Sequence, residues 1–159
     1  MLARFGRSHP GVFIEARVDR TATLVEDIAK GSLDLALVWE RGAVPAGSNA
    51  STIATVPIVW IAAEGYEIPS SESLPLIMMG EPCLFRAQGL ETLGEAGIAY
   101  RIAFTSSSLA GLWAAAAAGL GIAIRTPSVI PAGLVPLSHP SMPDLGDAAL
   151  RLYTADAPS

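Results

Sequence analysis

The fold of this chain is decided by the stretch Phe104-Thr105-Ser106-Ser107-Ser108-Leu109-Ala110-Gly111-Leu112-Trp113, the alanine run after it, and Gly119-Leu120-Gly121-Ile122-Ala123-Ile124-Arg125. Apolar residues alternate at 100, 102 and 104, which indicates a strand. The serines can cap a helix, because a hydroxyl accepts from the free amides of a first turn. Apolar residues then recur at helical spacing, at 109, 112, 113 and 116. Gly119 is placed to end the helix, and Gly121 to let the backbone turn closely into a second strand. The stretch therefore predicts a strand–helix–strand unit.

Hydroxyl groups and free backbone amides collect where the predicted helix begins. Unpaired N–H groups and the helix dipole make such an end a favourable place for an anion. The alternative is a helix that its serines merely cap and that binds nothing. We assign Ser108 to the cap and leave the other hydroxyls as candidates for ligand binding.

Composition excludes several functional classes. The 159 residues are 51% hydrophobic and 16% charged, and no apolar run reaches the ~18 residues that a membrane span needs. The first residues carry no secretory signal, so we expect a cytoplasmic protein. The net charge is −5 and Lys30 is the only lysine, which makes the chain by itself a poor nucleic-acid binder. Cys83 is the only cysteine, and both histidines precede proline, so neither an internal disulfide nor a metal site is expected. We expect no cofactor.

The rest of the chain alternates predicted helices and strands. A helix is expected at 2–7 with Leu2 and Phe5 facing the core, and another begins at Thr23, whose hydroxyl and Glu26 form a capping-box pattern. A further helix has an apolar stripe at Leu90, Leu93 and Ala87. Strands are expected at 12–18, 33–39 (central and buried on both faces), 56–63, 74–79 and 149–153, with a loop at 40–55. This pattern predicts an α/β fold with a mainly parallel sheet and ligand-binding loops at 18–23, after 39, at 79–83 and at 105–108.

Three blocks of sequence resemble, in order, the effector-binding domain of LysR-type transcriptional regulators. They are LARFGRSHPGVFIEARV, LVEDIAKGSLDLALV and AAAAAGLGIAI. The stretch from Pro82 to Gly121 is similar to the LrhA/HexA branch of that family. The resemblance implies a periplasmic-binding-protein type II-like fold: two α/β lobes with a hinge of two crossovers. We expect residues 1–56 and 127–159 to form lobe I, truncated at both ends, and residues 57–126 to form lobe II.

The family resemblance also implies partners and a site. A small-molecule effector, often a carboxylate, would bind in the cleft between the lobes. DNA would be bound only through a winged helix-turn-helix domain that this chain lacks, so we expect a fragment of a longer regulator. A homodimer or tetramer would form through the effector domain, with residues 2–7 and 12–18 of one copy against residues 86–96 and 100–104 of another. The predicted effector-binding residues are Thr21, Trp39, Met79, Gly80, Thr105, Ser106 and Ser107.

Each candidate has a structural alternative. Thr21 could be a turn hydroxyl, and Trp39 could pack between lobes. Arg86 or Arg125 could bind an effector carboxylate bidentately, although a salt bridge or solvent is the expected partner of each. Cys83 is expected to be a small buried side chain, because a redox sensor would need a second thiol.

The sequence leaves two other functional classes as alternatives. A solute-binding protein of a transport system would share the fold, and the sequence before Met1 would distinguish it from a regulator. An enzyme is disfavoured, since the chain has no nucleophile elbow, metal cluster, glycine-rich phosphate loop or histidine–acid pair.

Overall fold

The computed structural model describes residues 2–70 and 73–155. Its helices are α1 (Leu2–Ser8), α2 (Thr21–Ala29), α3 (Leu84–Glu95) and α4 (Leu109–Ala117). Its strands are β1 (Leu35–Glu40), β2 (Ala50–Pro57), β3 (Val59–Ala63), β4 (Leu74–Met79), β5 (Tyr100–Ser106), β6 (Ile122–Arg125), β7 (Leu134–Pro136) and β8 (Asp147–Thr154). No helix among these residues is long and apolar enough to cross a membrane.

The strands form two sheets. One has the order β1-β8-β2 and the other the order β5-β4-β6-β3-β7. The chain passes from the first to the second between β2 and β3, and returns between β7 and β8. In the five-stranded sheet β4 runs parallel to β5 and β6, whereas β3 is antiparallel to both of its neighbours. The three-stranded sheet is antiparallel throughout the described residues, so the prediction of a mainly parallel sheet is wrong there.

The return crossover lies later in the chain than the sequence indicated. Strand β7 pairs with β3, so residues 134–136 belong to the five-stranded sheet and not with residues 1–56. The segment after Arg125 does not cross back to the first sheet but leads into one more short strand, β7. The proposed lobe boundary therefore moves to the segment between β7 and β8.

Helices α3 and α4 cover opposite faces of the five-stranded sheet. Leu76 and Ile124 pack with Leu93 of α3, while Ile77 and Ala123 pack with Leu112 of α4. Because both faces of β4 are covered, its run of apolar residues is buried throughout except at the half-buried Met79. This arrangement confirms the predicted strand–helix–strand unit as β5-α4-β6.

Two glycines shape the turn between α4 and β6 as predicted. Gly119 has a φ of 74°, and the amides of Gly119 and Leu120 donate to carbonyls of the last helical turn. Gly121 runs so close to Pro75 that a Cβ atom there would collide with the Pro75 carbonyl oxygen. The first glycine supplies a left-handed end to the helix and the second a close approach to β4.

The N-terminal part of the chain differs most from expectation. Residues 12–18 form no strand, and their side chains are exposed, Phe13 by 98%. An alternating pattern makes a strand only when a neighbouring strand can pair with it, and the described residues offer none. Phe5 is also exposed and stacks on His9 instead of facing a core.

Several element boundaries and faces also need correction. Helix α2 begins at Thr21, so Thr23 is not its cap, and residues 50–55 belong to β2 and not to a loop. Strand β1 is paired only with β8 among the described residues, and it exposes Leu35 and Leu37 by 61% and 57%. Ala87 and Leu109 are exposed, because the buried faces of α3 and α4 are centred on other residues.

Candidate functional site

A cleft of about 1850 Å³ is lined by segments that belong to both sheets. It is bounded by the start of α2, the end of β1, the ends of β4, β5 and β6, and the first turns of α3 and α4. All seven residues predicted to bind an effector line it: Thr21, Trp39, Met79, Gly80, Thr105, Ser106 and Ser107.

Parallel pairing brings the floor of the cleft together. Met79 at the end of β4 is in register with Ser106 at the end of β5. Ile77 of β4 is in register with Ala123 of β6, and continuing that register places Arg125 beside Met79. Ser106, Met79 and Arg125 therefore form a row across three strands, about 10 Å from end to end at ordinary strand spacing.

The three serines after β5 have different roles. The Ser106 hydroxyl is buried, donates to the Ser108 carbonyl oxygen at 2.8 Å and accepts from the Ser108 amide at 3.1 Å. The Ser108 hydroxyl accepts from the Gly111 amide, which confirms it as the cap of α4. Thr105 and Ser107 are exposed, and their hydroxyls have no hydrogen-bond partner among the described residues. Thr105 and Ser107 are thus free to meet a ligand, whereas Ser106 holds the loop.

Two further helices begin at the cleft without a side-chain cap. Arg20 precedes α2 and Cys83 precedes α3, and neither side chain accepts a hydrogen bond from its helix. The first amides of an uncapped helix remain unpaired and carry the positive end of its dipole. Thr21 at the first position of α2 and Leu84 at that of α3 both line the cleft.

An aromatic contact joins the two sides of the cleft. The Trp39 ring from β1 meets the Phe85 ring from α3 edge to face, with centroids 6.3 Å apart. The guanidinium of Arg125 lies over the same Phe85 ring, 4.8 Å from its centroid. Trp39 therefore lines the cleft and packs between the two sides at once, which are the two roles its sequence position left open.

Charge in the cleft is opposite in sign to charge on the whole chain. Five arginines and three carboxylates line it: Arg20, Arg41, Arg86, Arg125 and Arg151, with Asp19, Glu40 and Glu81. Three of the arginines form ion pairs, Arg41 with Glu91, Arg86 with Glu81 and Arg151 with Glu40. Arg125 has no carboxylate partner among the described residues, so of the two expected partners it lacks the salt bridge.

Arg151 is the centre of a buried polar network that sequence reasoning missed. Its side chain is 2% exposed, and it donates to Glu40 at 2.5 Å and to the Gly42 carbonyl oxygen. Tyr153 donates to the same carboxylate at 3.0 Å, and burial, followed by that hydrogen bond, raises the pKa of Tyr153. A single arginine within the apolar run 148–153 was the available signal, because a charge is buried in a sheet only with a partner.

Neither Cys83 nor the other possible ligands of the described residues form a metal site. Cys83 is half-buried at the cleft wall, with its Sγ 3.7 Å from Arg125 Nη1, so it is not the fully buried side chain that we expected. Within the described ranges, no three side chains of His, Cys, Asp or Glu come together as metal ligands would.

The chain has two sheets linked by two crossovers, with a cleft between them. A family model described as the LysR substrate binding domain matches residues 1–151, and the chain belongs to that family. It is 32% identical over 154 residues to the HTH-type transcriptional regulator DgdR of Burkholderia cepacia, covering 96% of this chain and 51% of DgdR. It is 28% identical over 148 residues to the HTH-type transcriptional regulator PecT of Dickeya dadantii (strain 3937), covering 91% of this chain and 46% of PecT. The chain thus spans about half the length of the curated relatives that it matches.

Solved structures agree on the fold. The regulatory domain of CcmR from Synechocystis PCC6803, in complex with 2-PG, superposes with a TM-score of 0.76 at 17% identity, over 99% of this chain and 81% of that one. The bromide-bound regulatory domain of HypT from Salmonella typhimurium gives a TM-score of 0.75 at 16% identity, over 100% and 82%. These likenesses confirm the periplasmic-binding-protein type II-like fold. The comparisons do not single out the LrhA/HexA branch, which stays a prediction.

Proposed function

We propose that this chain is the effector-sensing domain of a LysR-type transcriptional regulator, and that it binds a small organic anion in the cleft. The observation that carries the proposal is the charge of the cleft: arginines outnumber carboxylates there, in a chain whose net charge is −5. A concave site with an excess of one charge concentrates ligands of the opposite charge.

The backbone of the cleft also favours an anionic ligand. Three helix N-termini face the cleft, and two of them lack a side-chain cap. Unpaired amides at a helix start are hydrogen-bond donors that favour anionic oxygens. The exposed hydroxyls of Thr105 and Ser107 lie on one side and Thr21 on the other, so one ligand would contact both sides.

A regulator accounts for the comparisons better than a transport protein does. DgdR and PecT are both named as HTH-type transcriptional regulators, so we place the alternative of a solute-binding protein second. We propose that DNA is bound only by a winged helix-turn-helix outside these 159 residues, and that the protein acts in the cytoplasm, where its DNA is. The role is binding and not catalysis, with no cofactor.

We also propose a homodimer or tetramer formed through this domain. Both predicted partner surfaces expose large apolar side chains, residues 5, 12–14 and 18 on one and residues 100, 102 and 104 on the other. Contiguous exposed apolar groups are typical of surfaces that another protein covers.

A thermal-shift screen of the full-length protein tests the effector proposal. The panel pairs small organic anions, 2-PG among them, with neutral analogues of similar size. An anion that raises the melting temperature while its neutral analogue does not supports the proposal, because a ligand bound only to the folded state stabilises it. A panel in which neutral molecules alone stabilise the protein contradicts the anionic class.

The role of the cleft is tested by DNA binding. An anion from the screen should change promoter binding by the wild-type protein, and Thr21→Val together with Ser107→Ala should abolish that response. An unchanged response in the double variant would place the effector elsewhere.

A further inference from the structure

We infer that Arg125 is the residue that recognises the charged group of the effector, through the free Nε–Nη2 edge of its guanidinium. This inference rests on the proposed function and assigns the binding of the anionic group to one side chain. The class of ligand that follows is a small molecule with a carboxylate or phosphate group.

The hydrogen bonds of Arg125 leave one edge unused. Its Nη1 donates to the Ile124 carbonyl oxygen at 3.2 Å and lies 3.7 Å from Cys83 Sγ. Within the described residues, Nε and Nη2 have no hydrogen-bond partner. These two groups present parallel N–H bonds, the geometry that matches the two oxygens of a carboxylate or phosphate.

The other arginines of the cleft are less suited to this role. Arg41, Arg86 and Arg151 each face a carboxylate within 3.4 Å, so an incoming anion would have to displace that partner. Arg20 has no ion pair in the described part of the chain, and its exposed side chain has no contact there that orients it. Arg125 alone combines an unneutralised charge with a fixed position.

Phe85 holds Arg125 in that position. A guanidinium over an aromatic face is attracted by the ring and keeps its edges free for hydrogen bonds. Phe85 is itself buried, and it touches Trp39 across the cleft. Arg125 is therefore ordered before the ligand arrives, which lowers the entropy that binding must overcome.

Its position also fits the free hydroxyls. Arg125 and Ser106 are the two ends of the row across β6, β4 and β5, with Met79 between them. Ser107 is the next residue after Ser106. Arg125 and Ser106 are two strand spacings apart, about 10 Å between their backbones, and their side chains shorten that distance. A molecule of a few carbon atoms can place an anionic group on Arg125 and an acceptor on Ser107.

Calorimetric titration of the full-length protein with malonate and with inorganic phosphate tests the inference. Wild type should bind at least one of them, and malonamide, the neutral analogue of malonate, should not bind. Arg125→Gln should weaken binding about ten- to a hundredfold, as expected for hydrogen bonds to a charged group. Arg125→Lys keeps the charge without the paired N–H groups, so its affinity should lie between those of wild type and Arg125→Gln. Lys30→Gln, an equal loss of charge outside the cleft and outside both predicted dimer surfaces, should leave the affinity as in wild type.

Melting curves accompany the titrations, so that a variant that unfolds is not counted as one that fails to bind. Equal affinity in wild type and Arg125→Gln would overturn the inference, as would malonamide binding as tightly as malonate, or failure of both anions to bind wild type. A metabolite from the thermal-shift screen that binds Arg125→Gln as tightly as wild type would refute the role of Arg125 while leaving the proposed function intact.

Discussion

At the scale of single residues, adjacent hydroxyls in one loop have separate roles. Ser106 is buried and bonded to both backbone groups of Ser108, whereas Ser107 is exposed and lines the cleft. We expect Ser106→Ala to lower the free energy of unfolding by about 1–2 kcal/mol, because two hydrogen bonds of the loop are lost. Ser107→Ala should leave stability almost unchanged and weaken effector binding.

Urea denaturation and effector titration, run on both variants, separate these roles. If Ser106→Ala lost affinity with no loss of stability, Ser106 would be a ligand contact after all. If Ser107→Ala bound the effector as tightly as wild type, the serines at 106–108 would serve only to cap α4.

Tyr153 gives a residue-scale prediction about pH. Burial raises its pKa above the usual 10.0, and the Glu40 hydrogen bond adds to the shift. Since the folded value exceeds the unfolded one, this contribution to stability is complete below pH 10 and is lost as pH rises through the folded pKa. The free energy of unfolding should therefore fall on the alkaline side of pH 10, and less steeply in Tyr153→Phe than in wild type.

Urea midpoints measured at intervals of pH through this range provide the test. The comparison is between wild type and Tyr153→Phe. The slope is the informative quantity, because Tyr153→Phe also loses a hydrogen bond to Glu40 at every pH. Identical slopes in both proteins would show that Tyr153 does not govern the alkaline loss.

At the scale of elements, local signals predicted the unit β5-α4-β6 well. A cap, a helical stripe and a glycine end act within a few residues, so Ser108, Leu112 and Gly119 could be assigned from sequence. Residues 12–18 failed because an alternating pattern needs a partner strand, which is a non-local requirement. The cleft could be predicted only in part. The predicted topology brought its seven residues together. The pairing of Arg151 with Glu40 and the stacking of Arg125 on Phe85 could not be predicted, because they depend on contacts between distant segments.

The turn between α4 and β6 gives a prediction at this scale. Gly121→Ala places a methyl group against the Pro75 carbonyl oxygen, so β4 and β6 must separate, and we expect a loss of at least about 2 kcal/mol in the free energy of unfolding. Gly119→Ala meets no atom within 4 Å, and its cost is the left-handed backbone alone, about 1 kcal/mol.

Denaturation of the two alanine variants side by side tests this difference. Both changes add one methyl group at a glycine of positive φ in the same turn, 74° at Gly119 and 157° at Gly121, so a larger loss at 121 reports the contact with β4 together with the backbone strain there. A loss for Gly121→Ala no larger than that for Gly119→Ala would contradict a costly contact with β4.

At the scale of the whole molecule, the chain has two kinds of surface for which we propose partners. The cleft is charged, and we propose a small anion as its ligand. The exposed apolar side chains of residues 12–18 and of β5 are not part of the cleft, except Val18. Exposed apolar surface of this extent is covered more readily by another protein than by a small charged molecule. The proposed dimer therefore accounts for the feature of the fold that the effector does not explain.

The dimer yields the last prediction. Ile102 lies on the exposed face of β5, so Ile102→Glu should leave the fold intact while placing a carboxylate in the apolar contact. Burying an unpaired charge at an interface is unfavourable, and we expect the dissociation constant of the dimer to rise at least about tenfold, or about 1.4 kcal/mol. Leu120→Glu is the matched control, because Leu120 is an exposed apolar residue in the turn after α4, outside both predicted surfaces. Sedimentation velocity over a range of concentrations should show dissociation in Ile102→Glu and none beyond wild type in Leu120→Glu. A wild-type protein that stays monomeric at the highest concentration, or an Ile102→Glu variant that dimerises as wild type does, would rule out this surface as the interface.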